Sequence, residues 1–429
     1  MIVDEVPPRL RSKIVTPASD EYEALRHSYA YCGSPALIIL CESAADVSSG
    51  LALARSTGAP LSVRSGGHGV GSSSTNDGGI ILDLARINRV EVLDPSAGLV
   101  RIGAGARWGE VATVLDPHGL AIGSGDSGDV GVGGLVLSGG IGLLGRAHGL
   151  TTDSLQSVAI VTADGLQRHA SATENPDLFW AIRGGGGQFG VVISFDFLAP
   201  RVRDVVHASI RYDGSDAASL ARHWARAVEA APRELTSFLY LSGDSGEATV
   251  VYAGADGPAA RTALEAFDGV GPVLSATTSA CSYASLVPVL GETHRGDAPP
   301  DVRCGLLTHV TAEAARAIAE LLEPDTALTV QLRAVGGVIN DVASEATAYS
   351  HRHQNFCVVA IGLEQNNERL IAAWDRLLPH LDGLYSAFET QRGPGQTLAA
   401  YPAPTLKRLA DVKAKFDPNH VFEPNFVWS

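Results

Sequence analysis

The chain has 429 residues, a net charge of −15, 45% hydrophobic residues and 18% charged residues. This length exceeds one ordinary hydrophobic core and predicts at least two domains in a well-packed globule. Lysine occurs at only four positions, so the acidic chain lacks the clustered cations that nucleic acids and anionic membranes require of a protein partner.

Cysteine usage and the first residues bear on the compartment. The five cysteines are odd in number and form no C-x-x-C pair, which argues against a zinc site and a disulfide framework. The segment 1–17 is charged and has no apolar core of a secretory signal. The uncharged stretch 130–145 is too short and too rich in glycine to span a membrane. We therefore expect a cytoplasmic protein with reduced thiols and no membrane partner, and the oligomeric state is left open.

The first 200 residues alternate short apolar runs with amphipathic segments. Ser43 is a suitable N-cap for the first long helix. Periodicity predicts helices at 44–57, 108–115 and 176–182, and strands at 36–40, 61–64, 80–84, 90–93, 99–102, 157–162 and 190–198. This pattern predicts an α+β domain that ends near Pro200.

After Pro200 the pattern predicts longer strands with alternating faces, separated by helices. The strands are expected at 207–212, 237–242, 248–253 and 327–333, and the helices at 217–231, 258–267, 312–322 and 367–380. Such a run is typical of a sheet with helices on one face and the other face free to cover a ligand. A basic helix is expected at 405–416.

Two glycine-rich stretches carry the strongest functional signal. Arg64–Gly69 follows a short strand, and its glycines let backbone N–H groups approach an anion, with His68 at the rim of the turn. A second stretch spans 123–149. Together they favour a dinucleotide held at its pyrophosphate, with an imidazole near the reactive end. Arg64 is either a phosphate partner or an ordinary surface charge.

A Rossmann fingerprint is a weaker interpretation of the second stretch. The glycines of 131–134 and 139–142 are not followed by a strand ending in an acidic residue, as that motif requires. The next strand instead ends at Ala163-Asp164-Gly165, which predicts a hairpin turn. A purely structural glycine-rich loop is the other alternative.

Several motifs together resemble the berberine-bridge-enzyme-like FAD oxidases of the vanillyl-alcohol-oxidase, PCMH-type superfamily. The matching segments are 64–69, 76–79, 81–84, 130–134, 138–142, 148–153, 175–187, 408–409, 412–413 and 416–422. The resemblance implies an α+β protein with a two-subdomain FAD-binding domain at 1–200 and a substrate domain at 201–385. That second domain would be an antiparallel sheet with helices on one face. The segment 386–429 would return to the FAD domain.

The resemblance also implies the cofactor and its attachment. His68 would carry FAD through an 8α-N-histidyl bond. Ser127 stands where many members have a second linking cysteine, so no cysteinyl link is expected, and Val130 favours an oxidase. The implied cofactor-binding residues are Arg64, Ser65, Gly66, Gly67, His68, Gly69, Gly125, Ser127, Val130, Gly131, Gly134, Gly140, Gly142, Gly149, Val192 and Asn425.

The catalytic apparatus departs from the family pattern. Phe388 occupies the position of a tyrosine that can act as a base, so that role is vacant. Arg333 shares a strand face with Gln331 and would stabilise reduced flavin or a substrate enolate. Tyr385 or Tyr401 would act as the base if such a cation lowered its pKa. The cavity wall is expected to contain Tyr240, Gln331, Tyr349 and His351, each with ordinary packing as the alternative.

The leading hypothesis is an FAD-linked oxidase that oxidises a small secondary metabolite by hydride transfer to flavin N5. Molecular oxygen would be the acceptor and hydrogen peroxide the product. The vacant base position motivates an alternative, a flavoprotein cyclase or pericyclase that uses the FAD-bound pocket without net oxidation. A binding or carrier protein on an oxidase scaffold is a third hypothesis. The substrate and its stereochemistry are not fixed by the sequence.

Overall fold

The computed structural model describes residues 2–291, 299–364 and 367–423. Two sheets are built from the first 200 residues. The first contains β1 (Ile14–Val15), β2 (Leu37–Leu40), β3 (Leu61–Arg64) and β4 (Ile80–Asp83), in the order β1-β2-β4-β3. Strands β2, β4 and β3 run parallel, and β1 is antiparallel to β2.

The second sheet is antiparallel and has the order β5-β6-β9-β7-β8, with strands β5 (Val90–Asp94), β6 (Leu99–Gly103), β7 (Leu155–Val161), β8 (Gln167–Ser171) and β9 (Val191–Leu198). Strands β7 and β8 are joined through Gly165, whose φ of +83° fits the predicted hairpin turn. The helices of this half are α1 (Tyr22–Leu25), α2 (Ala44–Thr57), α3 (Trp108–Leu115), α4 (Val132–Ser138), α5 (Gly145–His148) and α6 (Pro176–Ala181).

The third sheet has seven antiparallel strands and lies between residues 205 and 363. The strands are β10 (Val205–Asp213), β11 (Leu235–Ser242), β12 (Ser245–Tyr252), β13 (Val273–Cys281), β14 (Pro300–Leu307), β15 (Thr329–Ala334) and β16 (Phe356–Leu363). Their order is β13-β10-β12-β11-β15-β16-β14. The accompanying helices are α7 (Ala217–Ala230), α8 (Pro258–Glu265), α9 (Ala312–Glu320) and α10 (Asn367–Leu377).

The two faces of the seven-stranded sheet belong to different cores. Leu239, Leu332 and Val358 pack with the helices in one core. Phe238 and Cys357 lie on the other face and pack with apolar residues from the second glycine-rich stretch, among them Ile141, Leu143 and Leu144. The predicted sheet with helices on one face is therefore confirmed, and the free face meets the glycine-rich region.

The last part of the chain packs on the first half. Helices α11 (Pro394–Ala400) and α12 (Ala403–Phe416) follow the third sheet. Leu409 and Phe416 are buried in the same core as Trp180 and Phe189. The boundaries at 200 and 385 stay a prediction. Within the described ranges, no helix combines the length and the apolar character needed to cross a membrane.

Candidate cofactor and substrate site

The first glycine-rich loop lines a small cavity. Strand β3 ends at Arg64, and Ser65, Gly66, Gly67 and His68 then line a cavity of about 170 Å³ together with Tyr29, Arg107 and Asp129, among others. Cofactor pockets commonly measure roughly 300–1,000 Å³. The cavity therefore has room for part of a dinucleotide, not for all of it.

The two glycine-rich stretches contact each other directly. The Ser65 hydroxyl donates to the Ala104 carbonyl at 2.6 Å and accepts a hydrogen bond from the Gly133 N–H at 3.2 Å. A Cβ atom at Gly66 would lie 2.5 Å from the Gly131 nitrogen. Only glycine permits this approach, so the predicted need for glycine at Gly66 and Gly131 has a steric cause.

His68 is half-buried and oriented by an aromatic neighbour. Its ring stacks on Tyr29 with a centroid distance of 4.1 Å and an interplanar angle of 23°. Gly67 precedes it with a φ of +68°, which sets the tight turn that carries the imidazole. The loop therefore presents His68 at the cavity in a defined orientation.

Both arginines at the cavity are paired with carboxylates. Arg64 is buried, and its Nε donates to Asp83 Oδ2 at 2.7 Å. Arg107 Nη1 donates to Asp129 Oδ1 at 2.9 Å. The interpretation of Arg64 as a surface charge is wrong, and any phosphate near this cavity would meet ion pairs, not isolated cations.

The second stretch folds back on itself through close glycine contacts. A Cβ atom at Gly142 would lie 2.6 Å from the Gly125 nitrogen, and one at Gly140 would lie 2.2 Å from Thr151 Oγ1. The Ser127 hydroxyl accepts a hydrogen bond from the Asp129 N–H. Val130 is half-buried, Val192 is buried in β9 and Gly69 is exposed. Gly134 lies inside α4, and Gly149 directly follows α5. Asn425 lies outside the described residues.

A charged cluster forms where the third sheet meets this stretch. Arg333 on β15 donates from Nη2 to Asp126 Oδ2 at 2.8 Å and to Gln331 Oε1 at 2.7 Å. The Tyr240 hydroxyl donates to the same Asp126 oxygen at 2.5 Å. Tyr240 and Gln331 are direct partners across β11 and β15, which explains how the sheet brings these side chains together.

The electrostatics of this cluster keep it ionised. Burial raises the pKa of the Asp126 carboxyl, but the Arg333 charge and the hydrogen bonds from Tyr240 and Arg333 outweigh burial and lower it overall. Burial and the Asp126 charge raise the pKa of Tyr240 well above its usual value. Burial lowers the pKa of Arg333, but the Asp126 charge, the interaction with Tyr240 and the hydrogen bond to Asp126 together outweigh burial and raise it overall.

Asp126 is the functional candidate that the sequence did not reveal. It lies in a loop expected to cradle an anion, where a carboxylate is unfavourable unless a cation compensates it. Two acidic residues, Asp126 and Asp129, fall within that loop, and each pairs with an arginine. An acidic residue in a presumed phosphate loop was the signal available.

The predicted condition for a tyrosine base is contradicted at both candidates. Tyr385 is buried, its hydroxyl accepts a hydrogen bond from the Gly140 N–H at 3.1 Å, and burial raises its pKa. Tyr401 donates to the Gly184 carbonyl at 3.2 Å within the first core, and burial raises its pKa to about 12. Neither pKa is lowered, because burial outweighs the Arg333 charge at Tyr385, and no arginine enters the shift at Tyr401.

The remaining residues predicted for the cavity wall are Tyr349 and His351. Tyr349 is buried and meets the Tyr385 ring edge-on at a centroid distance of 6.1 Å. His351 is also buried, with Nε2 3.0 Å from the Ala400 carbonyl oxygen, and burial lowers its pKa. The rings of Tyr349 and His351 meet edge-on at a centroid distance of 6.0 Å, so the two residues are neighbours, with Tyr349 toward Tyr385 and His351 toward α11.

These features define a class of protein. Residues 35–171 match the FAD binding domain family. The chain has the fold of the berberine-bridge-enzyme-like, PCMH-type FAD oxidases, which confirms the resemblance seen in the motifs. A chitooligosaccharide oxidase superimposes with a TM-score of 0.88 at 22% identity, covering 99% of this chain and 98% of that one.

Two curated relatives differ in how much of them is matched. The FAD-linked oxidoreductase YgaK of Bacillus subtilis (strain 168) is 28% identical over 96% of both chains. The (R)-6-hydroxynicotine oxidase of Paenarthrobacter nicotinovorans is 37% identical over 188 residues, which are 43% of this chain and 41% of that protein. The chain spans about a third of the length of the first curated relatives that it matches.

Proposed function

We propose that this chain is an FAD-linked oxidoreductase, an oxidase that acts on a small secondary metabolite with molecular oxygen as acceptor. The cofactor would be joined to His68 through an 8α-N-histidyl bond. One observation carries the proposal: a tight glycine turn within the segment that matches the FAD binding domain family holds the His68 ring in a stack on Tyr29.

The residues present fit such a cofactor. The backbone of Ser65–Gly67 borders the cavity beside His68, and the approach of Gly66 to Gly131 leaves no space for a Cβ. Backbone N–H groups in such a turn are suited to phosphate oxygens. Ser127 offers a hydroxyl in place of a thiol, so a single covalent link is expected.

Bound FAD would supply a hydride acceptor and would pass the electrons on to oxygen. The side chains of this chain would provide binding and electrostatics. Phe238 and Phe388 flank the Arg333 guanidinium and keep water from it. The ionised Asp126 can accept a hydrogen bond from a substrate O–H or N–H. Tyr385 stays protonated at neutral pH because of its raised pKa, so it serves as a hydrogen-bond partner and not as a base.

The covalent link is tested by colour and mass. The purified protein should be yellow, and the colour should stay with the acid-precipitated pellet. His68→Ala should release the colour into the supernatant, whereas the matched change of the exposed His118→Ala should retain it in the pellet. In a tryptic digest, the peptide that contains His68 should be heavier by one FAD. A colourless native protein, or an unmodified peptide from fully loaded protein, would contradict the proposal.

The oxidase assignment is tested by product stoichiometry. Candidate metabolites are mixed anaerobically with the yellow protein, and loss of the visible flavin absorbance marks a substrate. Admission of oxygen should then restore the absorbance and yield one peroxide per product. Turnover of a metabolite without bleaching and without peroxide would identify a cyclase instead.

A further inference from the structure

Arg333 carries a donor that the protein itself does not satisfy. Its side chain is 4% exposed. Nε and Nη2 donate to Gln331, and Nη2 also donates to Asp126, but Nη1 is buried with no hydrogen-bond partner in the described part of the chain. A buried donor on a charged group is unfavourable without an acceptor. We therefore expect a bound ligand to supply the acceptor for Nη1.

The position of this donor is fixed before any ligand arrives. The Arg333 guanidinium lies between the rings of Phe238 and Phe388, with centroid distances of 4.7 and 4.8 Å. Its other nitrogens are bound by Gln331 and Asp126, which fix the rotation of the planar group. A guanidinium held on both faces and along one edge presents its remaining N–H groups in one orientation.

The charge balance favours an anionic acceptor. Asp126 is the carboxylate that pairs with Arg333, and the Tyr240 hydroxyl donates to the same Asp126 oxygen. The side chain opposite Arg333 on the neighbouring strand is the apolar Phe238. Nη1 therefore remains a donor on an ionised guanidinium, and in the described part of the chain no acceptor is bonded to it.

We propose that Arg333 Nη1 binds a carboxylate group of the substrate, so that the metabolite oxidised at this site is a carboxylic acid. The inference rests on the proposed function, because it names the substrate class of the same site. Charge-assisted hydrogen bonds to carboxylate are about twice as strong as neutral ones, so the site should discriminate an acid from its amide.

The test uses benzoate and its neutral analogue benzamide as probes. Each is titrated calorimetrically into the yellow protein at fixed ionic strength. Benzoate should bind about tenfold more tightly than benzamide. Arg333→Gln should remove this preference, and Arg333→Lys should keep part of it, since the charge remains but the fixed fork is lost. Arg211→Gln, an exposed arginine of the same sheet, should leave the preference unchanged.

Several results would overturn the proposal. Equal affinities for the two probes, or no benzoate binding to the yellow wild-type protein, would contradict it. A shift of the flavin spectrum in Arg333→Gln with an unchanged preference would show that Nη1 binds the flavin and not a substrate. If Arg333→Gln does not fold, Asp126→Asn decides, because it removes the neutralising carboxylate. Its preference for benzoate should equal or exceed that of the wild type, and a lost preference would count against the proposal.

The test separates this inference from the proposed function. The visible absorbance of every sample reports its FAD content, and the probe titration reports anion binding. A protein without FAD would refute the flavoprotein assignment, while a yellow protein without anion preference would refute only the carboxylate site.

Discussion

Helix α12 and its C-cap residue Asp417 contribute two Lys–Asp pairs with the same i,i+4 spacing in opposite environments. Lys413 and Asp417 are buried at 2.6 Å, whereas Lys407 and Asp411 are exposed at 3.1 Å. Lys413→Met should lower the free energy of unfolding by about 3 kcal/mol or more, because it leaves Asp417 charged and buried. Lys407→Met should cost less than about 1 kcal/mol. Urea unfolding followed by circular dichroism measures both, and equal losses would contradict the argument.

Glu389 predicts a pH dependence of stability. Burial raises the pKa of this carboxyl to about 7, against the hydrogen bonds from the Cys304 and Gln391 N–H groups and the charge of Arg303. The folded protein therefore holds this proton more tightly than the unfolded chain, in which the carboxyl has a pKa of 4.5. The contribution of Glu389 to the free energy of unfolding should fall by about 3 kcal/mol between roughly pH 4.5 and pH 7.

The pH effect is measured by urea unfolding at pH 5 and pH 8. Glu389→Gln cannot release a proton, so its free energy of unfolding should fall less from pH 5 to pH 8 than that of the wild type. The exposed Glu368→Gln should retain the wild-type difference. An unchanged pH difference in Glu389→Gln would show that this carboxyl does not carry the effect.

At the scale of elements, two glycines near α4 should respond to alanine in opposite ways. Gly66→Ala places a Cβ atom 2.5 Å from the Gly131 nitrogen, whereas a Cβ atom at Gly134 meets no heavy atom within 4 Å. We expect Gly66→Ala to destabilise the protein by about 1–3 kcal/mol. Gly134→Ala should stabilise helix α4 by about 0.5–1 kcal/mol. Thermal unfolding of both variants tests the steric origin, and the reverse order would exclude it.

Helices and strands whose position depends on neighbouring residues were predicted more accurately than those that depend on packing between distant segments. Helices α2 and α3 begin and end at the predicted residues, and the Ser43 hydroxyl accepts from the Asp46 N–H as an N-cap. Strand β16 was missed because its two faces enter different apolar cores, so Phe356–Leu363 shows no alternation. Strand β13 was missed because it is an exposed edge with a polar sequence.

The part of the candidate site that lies on strand β15 could be predicted, because side chains alternate between the two faces of a strand. The shared face of Gln331 and Arg333 follows from the period of two, and Tyr240 joins them through cross-strand register. Asp126 approaches Arg333 across 207 residues of sequence, a distance that periodicity does not bridge. The burial of Tyr385 and Tyr401 also depends on this long-range packing, so only the condition for a tyrosine base, a lowered pKa, could be stated from the sequence, and neither residue meets it.

At the scale of the whole molecule, a buried ion pair joins the two halves of the chain. Arg352 donates to both carboxylate oxygens of Asp153 at 2.8 Å. Arg352→Leu should lower the free energy of unfolding by about 3–5 kcal/mol, because Asp153 would remain buried without a cation. Arg233→Leu breaks the exposed pair with Asp341 and should cost less than about 1 kcal/mol. Denaturant titration compares the two, and a small loss in Arg352→Leu would contradict the structural role.

The loop of residues 123–131 contacts both the turn that carries His68 and the Arg333 side chain. Gly131 meets the turn of His68, Asp126 anchors Arg333, and the Ser124 N–H donates to the Tyr283 hydroxyl at 3.2 Å. By thermodynamic linkage, a ligand that shifts this loop from one side changes the binding affinity on the other side. Loading with flavin should raise the affinity for an acid on the opposite side, and bound acid should raise the affinity for flavin that is not yet attached by the same factor.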